Sequence, residues 1–156
     1  MKGFLFIVVT GLLLAGCESY DIMQRSMFSD EDGNMVEVAF GRGEDVHVNY
    51  FTSPSNGKKL EFKSRLVVEV ELPDGDSFVA WQCMNMLANG TMYRTDDEEW
   101  MLLVTGFSCK VYCRNEDVED RYDEVYRGIL CDTAKGDYKE DERWRKLKKN
   151  AAGRWE

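Results

Sequence analysis

Chemistry in this chain would have to come from five cysteines, one histidine and a few dense runs of charge. Nucleophilic catalysis needs a serine or cysteine beside a base, with a third group orienting that base. The single histidine, His47, lies between Val46 and Val48 in an alternating run, so its side chain is expected to face away from theirs, toward solvent. No nucleophile motif surrounds it and no acid–base pair can be named, so no catalytic residue and no enzyme are expected. Asp30-Glu31-Asp32 and Asp96-Asp97-Glu98-Glu99 are acidic enough for calcium but lack the regular ligand spacing of a calcium loop, and read as solvated turns. Cys83, Cys109, Cys113 and Cys131 could supply four thiolates to zinc, yet no Cys-x-x-Cys pair is present, and no metal or cofactor is expected. The basic run from Arg143 to Lys149 offers Arg143, Arg145, Lys146, Lys148 and Lys149 to a polyanion. Each such cation contributes about 1 kcal/mol near an anionic surface. The alternative for that run is an inert, solvated helix.

The N-terminal residues carry an address. Lys2 provides a short positive start, and Phe4 to Ala15 form an apolar run interrupted only by Thr10 and Gly11. Spanning a bilayer takes about 20 apolar residues, so this run suits the hydrophobic region of a signal peptide instead. It ends in Leu14-Ala15-Gly16-Cys17, which resembles the lipobox of bacterial lipoproteins. The resemblance implies cleavage before Cys17, a diacylglycerol thioether on its sulfur and acylation, commonly by palmitate, of its freed amine. It also implies a protein of the cell envelope held to a lipid membrane. Glu18 stands where that family's inner-membrane retention signal is aspartate, which favours an outer-membrane protein facing the periplasm.

Without residues 1–16 the net charge is −10, and it is unevenly placed. Residues 17–133 hold 24 acids against 11 bases, and residues 134–156 hold 8 bases against 5 acids. Nucleic acid, which demands a basic surface, is excluded as a partner. The expected partners are the membrane through Cys17 and an envelope protein or cell-wall polymer. In an exported domain the four remaining cysteines are expected as two disulfides. Cys109 and Cys113 on one strand would lie about 13 Å apart, beyond the roughly 7 Å that a bridge allows. A helix folding back over that strand would bring Cys131 to Cys109 and leave Cys113 for Cys83.

The elements that must position these residues are mostly strands. Val36, Val38 and Phe40 alternate with polar or small neighbours, as do Val46, Val48 and Tyr50, and Leu66 to Leu72 continue the pattern. Pro73-Asp74-Gly75 is a turn before Phe78 to Trp81, and Met92-Tyr93, Trp100 to Thr105 and Ser108 to Cys113 close the series. Seven to nine short strands at roughly ten-residue spacing predict an antiparallel meander forming a small barrel or sandwich. After Arg114 the period changes: Val118, Tyr122, Val125 and Ile129 fit one face of a helix, with Asn115 as its cap. Gly128 weakens that helix, and a strand from Val125 to Cys131 is the alternative. Tyr138 to Asn150 reads as a second helix with only a thin apolar stripe of Trp144, Leu147 and Ala151, solvated or dependent on a partner. The predicted class is thus mainly β, or α+β, with C-terminal helices. The expected organisation is a signal peptide at 1–16, a polar tether at 17–33, a β-rich disulfide-containing domain at 34–133 and a basic helical tail at 134–156.

One further stretch, Asn89-Gly90-Thr91-Met92-Tyr93 followed by Trp100 and Val104-Thr105-Gly106, resembles the core pattern of membrane-bound inhibitors of C-type lysozyme. That resemblance implies an eight-stranded barrel. Asn89 stands where the family has its inhibitory serine and Thr105 where it has its lysine, so both enzyme-contacting residues are changed. The functional expectation is a membrane-anchored envelope lipoprotein with a non-catalytic binding or structural domain, and the alternative is a lysozyme inhibitor.

Overall fold

A computed structural model describes residues 19–53, 55–85, 89–139 and 141–151. Eight strands run β1 (Tyr20–Ser29), β2 (Met35–Thr52), β3 (Lys59–Glu71), β4 (Ser77–Asn85), β5 (Thr91–Arg94), β6 (Trp100–Val104), β7 (Ser108–Arg114) and β8 (Tyr122–Lys135), followed by one helix, α1 (Glu142–Ala151). Each strand pairs antiparallel with its neighbours in sequence, and β8 pairs with β1, so the meander closes into a barrel. The predicted mainly β meander is therefore a barrel and not a sandwich.

Alternation fills its interior. Phe28, Val36, Val38, Val68, Val70, Ala80, Leu102 and Val111 are all almost fully buried in one cluster. Phe78 stacks on Trp100 at its margin, ring centroids 5.2 Å apart. Tyr126 also points inward, its hydroxyl 2.8 Å from the Asn34 carbonyl oxygen and 3.0 Å from that of Phe28. The ring lies so close over Gly128 that a Cβ there would meet the hydroxyl oxygen at 2.6 Å. Gly128 is thus a requirement of packing in a strand.

Three expectations need correction. Residues 20–29, expected within a polar tether, form β1 and pair on both sides, with β2 and with β8. Its Asp21, Gln24 and Arg25 read as tether because strand burial here is supplied partly by α1 from outside the barrel. The helix expected from Glu116 is the strand β8, whose start at Tyr122 follows a loop. A bulge leaves Val125 as an extra residue, with Tyr126 opposite Val111 and Glu124 opposite Tyr112. That bulge, with the outward and exposed Val125 and Ile129, produced helical spacing in a strand. The basic tail begins later than residue 134, because Ala134 and Lys135 complete β8.

The described C-terminal region holds a single helix, and it is docked. Trp144 is fully buried against Met27, Met35 and Ala134 on the outer wall of β1, β2 and β8, with Leu147 beside them. Its indole N–H donates to Glu37 Oε2 at 2.8 Å. Arg25, buried in the same wall, reaches Glu37 Oε1 at 2.6 Å and Asp137 Oδ1 at 2.7 Å. An ion pair removed from water persists only when its remaining hydrogen-bonding capacity is met, and Trp144 and Asp137 meet it here. Asp141 caps α1, its carboxylate accepting from the Arg143 amide at 2.8 Å. Trp144→Ala should lower unfolding free energy by about 3–5 kcal/mol, the range for emptying a buried aromatic site. Urea denaturation of the unacylated domain measures it, and a change within about 0.5 kcal/mol would mark the helix as solvated.

Candidate functional site

The up-and-down order sorts the connections onto two rims. The proximal rim, where β1 begins, also carries the long β2–β3 arm and the β4–β5 and β6–β7 loops. The distal rim carries the other four connections, residues 30–34, 73–76, 95–99 and 115–121. These four hold thirteen acids and one base, Arg121. Much of that acid builds the turns themselves. Asp30 Oδ1 accepts from the Asp32 and Asn34 amides, and Asp74 Oδ1 from that of Asp76. Asp97 accepts from the Thr95 hydroxyl and the Glu99 amide, and these bonds hold its carboxyl below the usual range. Glu98, in the left-handed region at φ 63°, lies between Arg94 and Arg114. Among the described residues no group of three or more histidine, cysteine or acidic side chains is placed to hold a metal ion.

His47 does not simply face solvent. Beyond Arg42 the register of β2 and β3 shifts, and the arm folds against β4 and β5. Asn49 donates to the carbonyls of Trp81 and Gln82, and Arg94 donates to that of Tyr50. The imidazole lies 4.5 Å from the Trp81 ring, centroid to centroid, with Nε2 2.8 Å from Asp96 Oδ1. Trp81 fits there because Gly43 has no side chain: a Cβ would meet the indole at 3.1 Å. On its other side Tyr20 meets Trp81 edge-on and bonds Glu69 at 2.6 Å. The histidine therefore pins the arm to the barrel wall.

The expected disulfides are absent: the four thiols are free and none is at bridging distance from another. The Cys109–Cys131 and Cys83–Cys113 pairings required a helix folding back over β7. As a strand, β8 places Gly128 opposite Cys109 and Asp123 opposite Cys113, and carries Cys131 past the end of β7. Cys83 is on β4, separated from β7 by β5 and β6. Burial pushes the Cys83 thiol up to about 11 and Cys109 up to about 12, so both stay protonated at neutral pH. Burial and then Asp132 also raise Cys131, which is nonetheless exposed.

The positions that carry the lysozyme-inhibitor resemblance meet at the proximal rim. Gly90, at φ 109°, packs so tightly on β6 that a Cβ would lie 2.2 Å from the Val104 carbonyl oxygen and 3.3 Å from Thr105 Cα. Asn89 is exposed, and the Thr105 hydroxyl is engaged with Ser108 Oγ at 2.7 Å. Phe107, just before β7, tips the β6–β7 loop and is 78% exposed. Its exposure could not be read from alternation, because the loop interrupts the period. The polyanion candidates lie elsewhere, on the flank: Arg143 pairs with Asp132 at 3.2 Å, Lys146 with Glu142 at 3.7 Å, and Arg145 is exposed. Lys148 and Lys149 continue α1, their side chains lying outside the described residues, as do Cys17 and the signal peptide.

Compared with known proteins, the chain matches no family model, no curated protein and no solved structure.

Two outcomes follow from this geometry. Gly90→Ala should destabilise the barrel by at least about 1 kcal/mol, since it combines a strained φ with a backbone clash. An unchanged urea midpoint would contradict the packing of Gly90 on Val104. In the native protein at mildly alkaline pH, iodoacetamide should modify Cys131 first and leave Cys83 and Cys109 unmodified until the chain unfolds. Equal rates for the three, read by peptide mass mapping, would contradict their burial.

Proposed function

We propose that this chain is a lipid-anchored lipoprotein of the bacterial cell envelope, with a small barrel that binds or braces other envelope components without catalysing a reaction. The observation that carries the reading is the join between anchor and fold. Cys17 of the Leu14-Ala15-Gly16-Cys17 lipobox is three residues from Tyr20, where β1 begins. Three residues reach about 10 Å at most, so acylation of Cys17 would hold the barrel directly on the lipid surface. The barrel interior is packed with its own side chains, so partners are met on the outer surface. The cationic flank of α1, with Arg143, Arg145 and Lys146, suits an anionic cell-wall polymer or an acidic envelope protein. Glu18 after the cysteine supports an outer-membrane location facing the periplasm.

The second reading, inhibition of a C-type lysozyme, rests on Asn89-Gly90 meeting Val104-Thr105 at one rim. That rim is the one from which the anchor leaves, so an enzyme engaging it would have to enter beneath the domain. The short join therefore favours the binding or structural reading, and lysozyme mixed with the unacylated domain should give no complex at micromolar concentration. A complex would make inhibition the leading reading.

Cys17→Ser removes the only sulfur at the acceptor position. It should leave an uncleaved precursor without acyl mass when expressed in a bacterium that processes lipoproteins. A variant that still ran at mature size and carried acyl chains would contradict the lipobox reading.

A further inference from the structure

The outer face of β8 carries an apolar stripe. Ile129 is 68% exposed, Val125 is 54% exposed, and Phe107 lies beside them. The register sets that neighbourhood: Ser108 is opposite Ile129, and the Leu130 amide donates to the Phe107 carbonyl at 2.7 Å. Val125 and Ile129 line a groove of about 470 Å³ together with Asp30, Glu31, Asp32 and Glu124. Arg127 in the same groove is paired with Glu124, Nη2 to Oε1 at 2.9 Å, so the net charge of the groove is that of the β1–β2 turn. Ser29 is opposite Ile129, which puts this turn beside the half of β8 that precedes Ile129.

Past Ile129 the sign of the face changes. Met27 is opposite Asp132, and α1 stands on the wall there through Trp144. Arg143 reaches Asp132 at 3.2 Å, and the helix holds five bases against one acid. Along the line of β1 and β8 the surface therefore runs from an acidic turn, through an apolar centre at Ile129, to a basic helix. An exposed apolar patch of this kind, rimmed by charge, marks an interaction site. A polyanion would suit α1 and be repelled by the turn, and a basic peptide would suit the turn and be repelled by α1. A partner that answers both ends must carry both signs in this order, and a second copy of the chain carries them. Half a turn about an axis across β8 sets Ile129 against Ile129 and each acidic turn against the α1 of the other copy.

We propose that this outer face of β8 is a two-fold interface between two copies of the chain, with Ile129 on the axis and the Asp30–Asp32 turn of each copy beside α1 of the other. The inference goes beyond the envelope reading and rests on the barrel alone, so it stands or falls without the anchor. The eight strands, their closure and the packing of α1 all lie within residues 20–151. A chain beginning at Glu18 therefore retains the whole fold.

Sedimentation equilibrium of the chain beginning at Glu18 should show a monomer–dimer equilibrium with a dissociation constant below about 100 µM at low salt. Ile129→Asp should weaken dimerisation at least about tenfold. Val79→Asp, on the exposed wall of β4 across the barrel, should leave it unchanged. A monomer at every concentration up to about 1 mM, assemblies larger than a dimer, or equal effects of the two substitutions would overturn the proposal. Raising the salt from about 0.05 M to about 0.5 M should weaken association several-fold, since the charges pair at a wetted rim, and an unchanged constant overturns the arrangement. The second measurement does not depend on the folding of Ile129→Asp. A residue on a two-fold axis faces its own copy, so Ile129→Cys, made in the full chain together with Cys131→Ser, should give disulfide-linked dimers under mild oxidation. Val79→Cys in the same background should not. Equal yields from the two, or no linked dimer from Ile129→Cys, overturn the two-fold interface.

Discussion

The ladder between β1 and β8 is the constraint on which the rest of this molecule depends. Six residue pairs, from Gln24 opposite Lys135 to Ser29 opposite Ile129, join the first strand to the last. Without them both strands would be edges, each with a row of unpaired backbone groups. With them, the inward residues of all eight strands face one another and the core is enclosed. Closure also fixes everything outside the core. It sets where the chain enters, which connections share a rim, and which outer wall is left for α1. The Arg25–Glu37 pair is part of that outcome: the two residues lie on neighbouring strands, and α1 then covers them and supplies the indole N–H that completes the site.

Charge segregation follows from the same topology joined to turn chemistry. Tight turns between antiparallel strands favour aspartate and asparagine, whose side chains bond the backbone two residues on. All four connections of the distal rim use this device, and their acids accumulate there. The proximal connections are built differently. One is a folded arm pinned by Asn49, His47 and Arg94, and another is a short loop held by Thr105 and Ser108. Neither needs a run of acid. The acids of the barrel are therefore gathered on the connections of one rim.

Alternation carried most of the fold. The strands from Met35 to Arg114 are legible because inward valines and aromatics alternate with outward polar residues, and because Pro73-Asp74-Gly75 marks a turn. What misled was local structure that breaks a period of two. The bulge at Val125 converted strand spacing into helix spacing, and β1 hid among polar residues because its outer side is buried by a helix more than a hundred residues later. Trp144 has the same cause: a lone tryptophan in a basic helix gives no sign of the hydrophobic wall that receives it. Of the candidate sites, the four cysteines were expected as bridges on compartment grounds, but distances between strands decide bridging, and these were beyond reach of spacing. The contact of Gly90 with Val104 was signalled only by the resemblance, and the exposure of Phe107 had no signal in the sequence.

Amide hydrogen exchange along residues 20–29, followed residue by residue in the unacylated domain, tests the closed barrel most directly. The amides of Ser26 and Phe28 should exchange as slowly as those of Val68 and Val70 in β3, through opening of the whole fold. Exchange across β1 at the rate of an unstructured peptide, with β3 still protected, would contradict closure and return this segment to a tether.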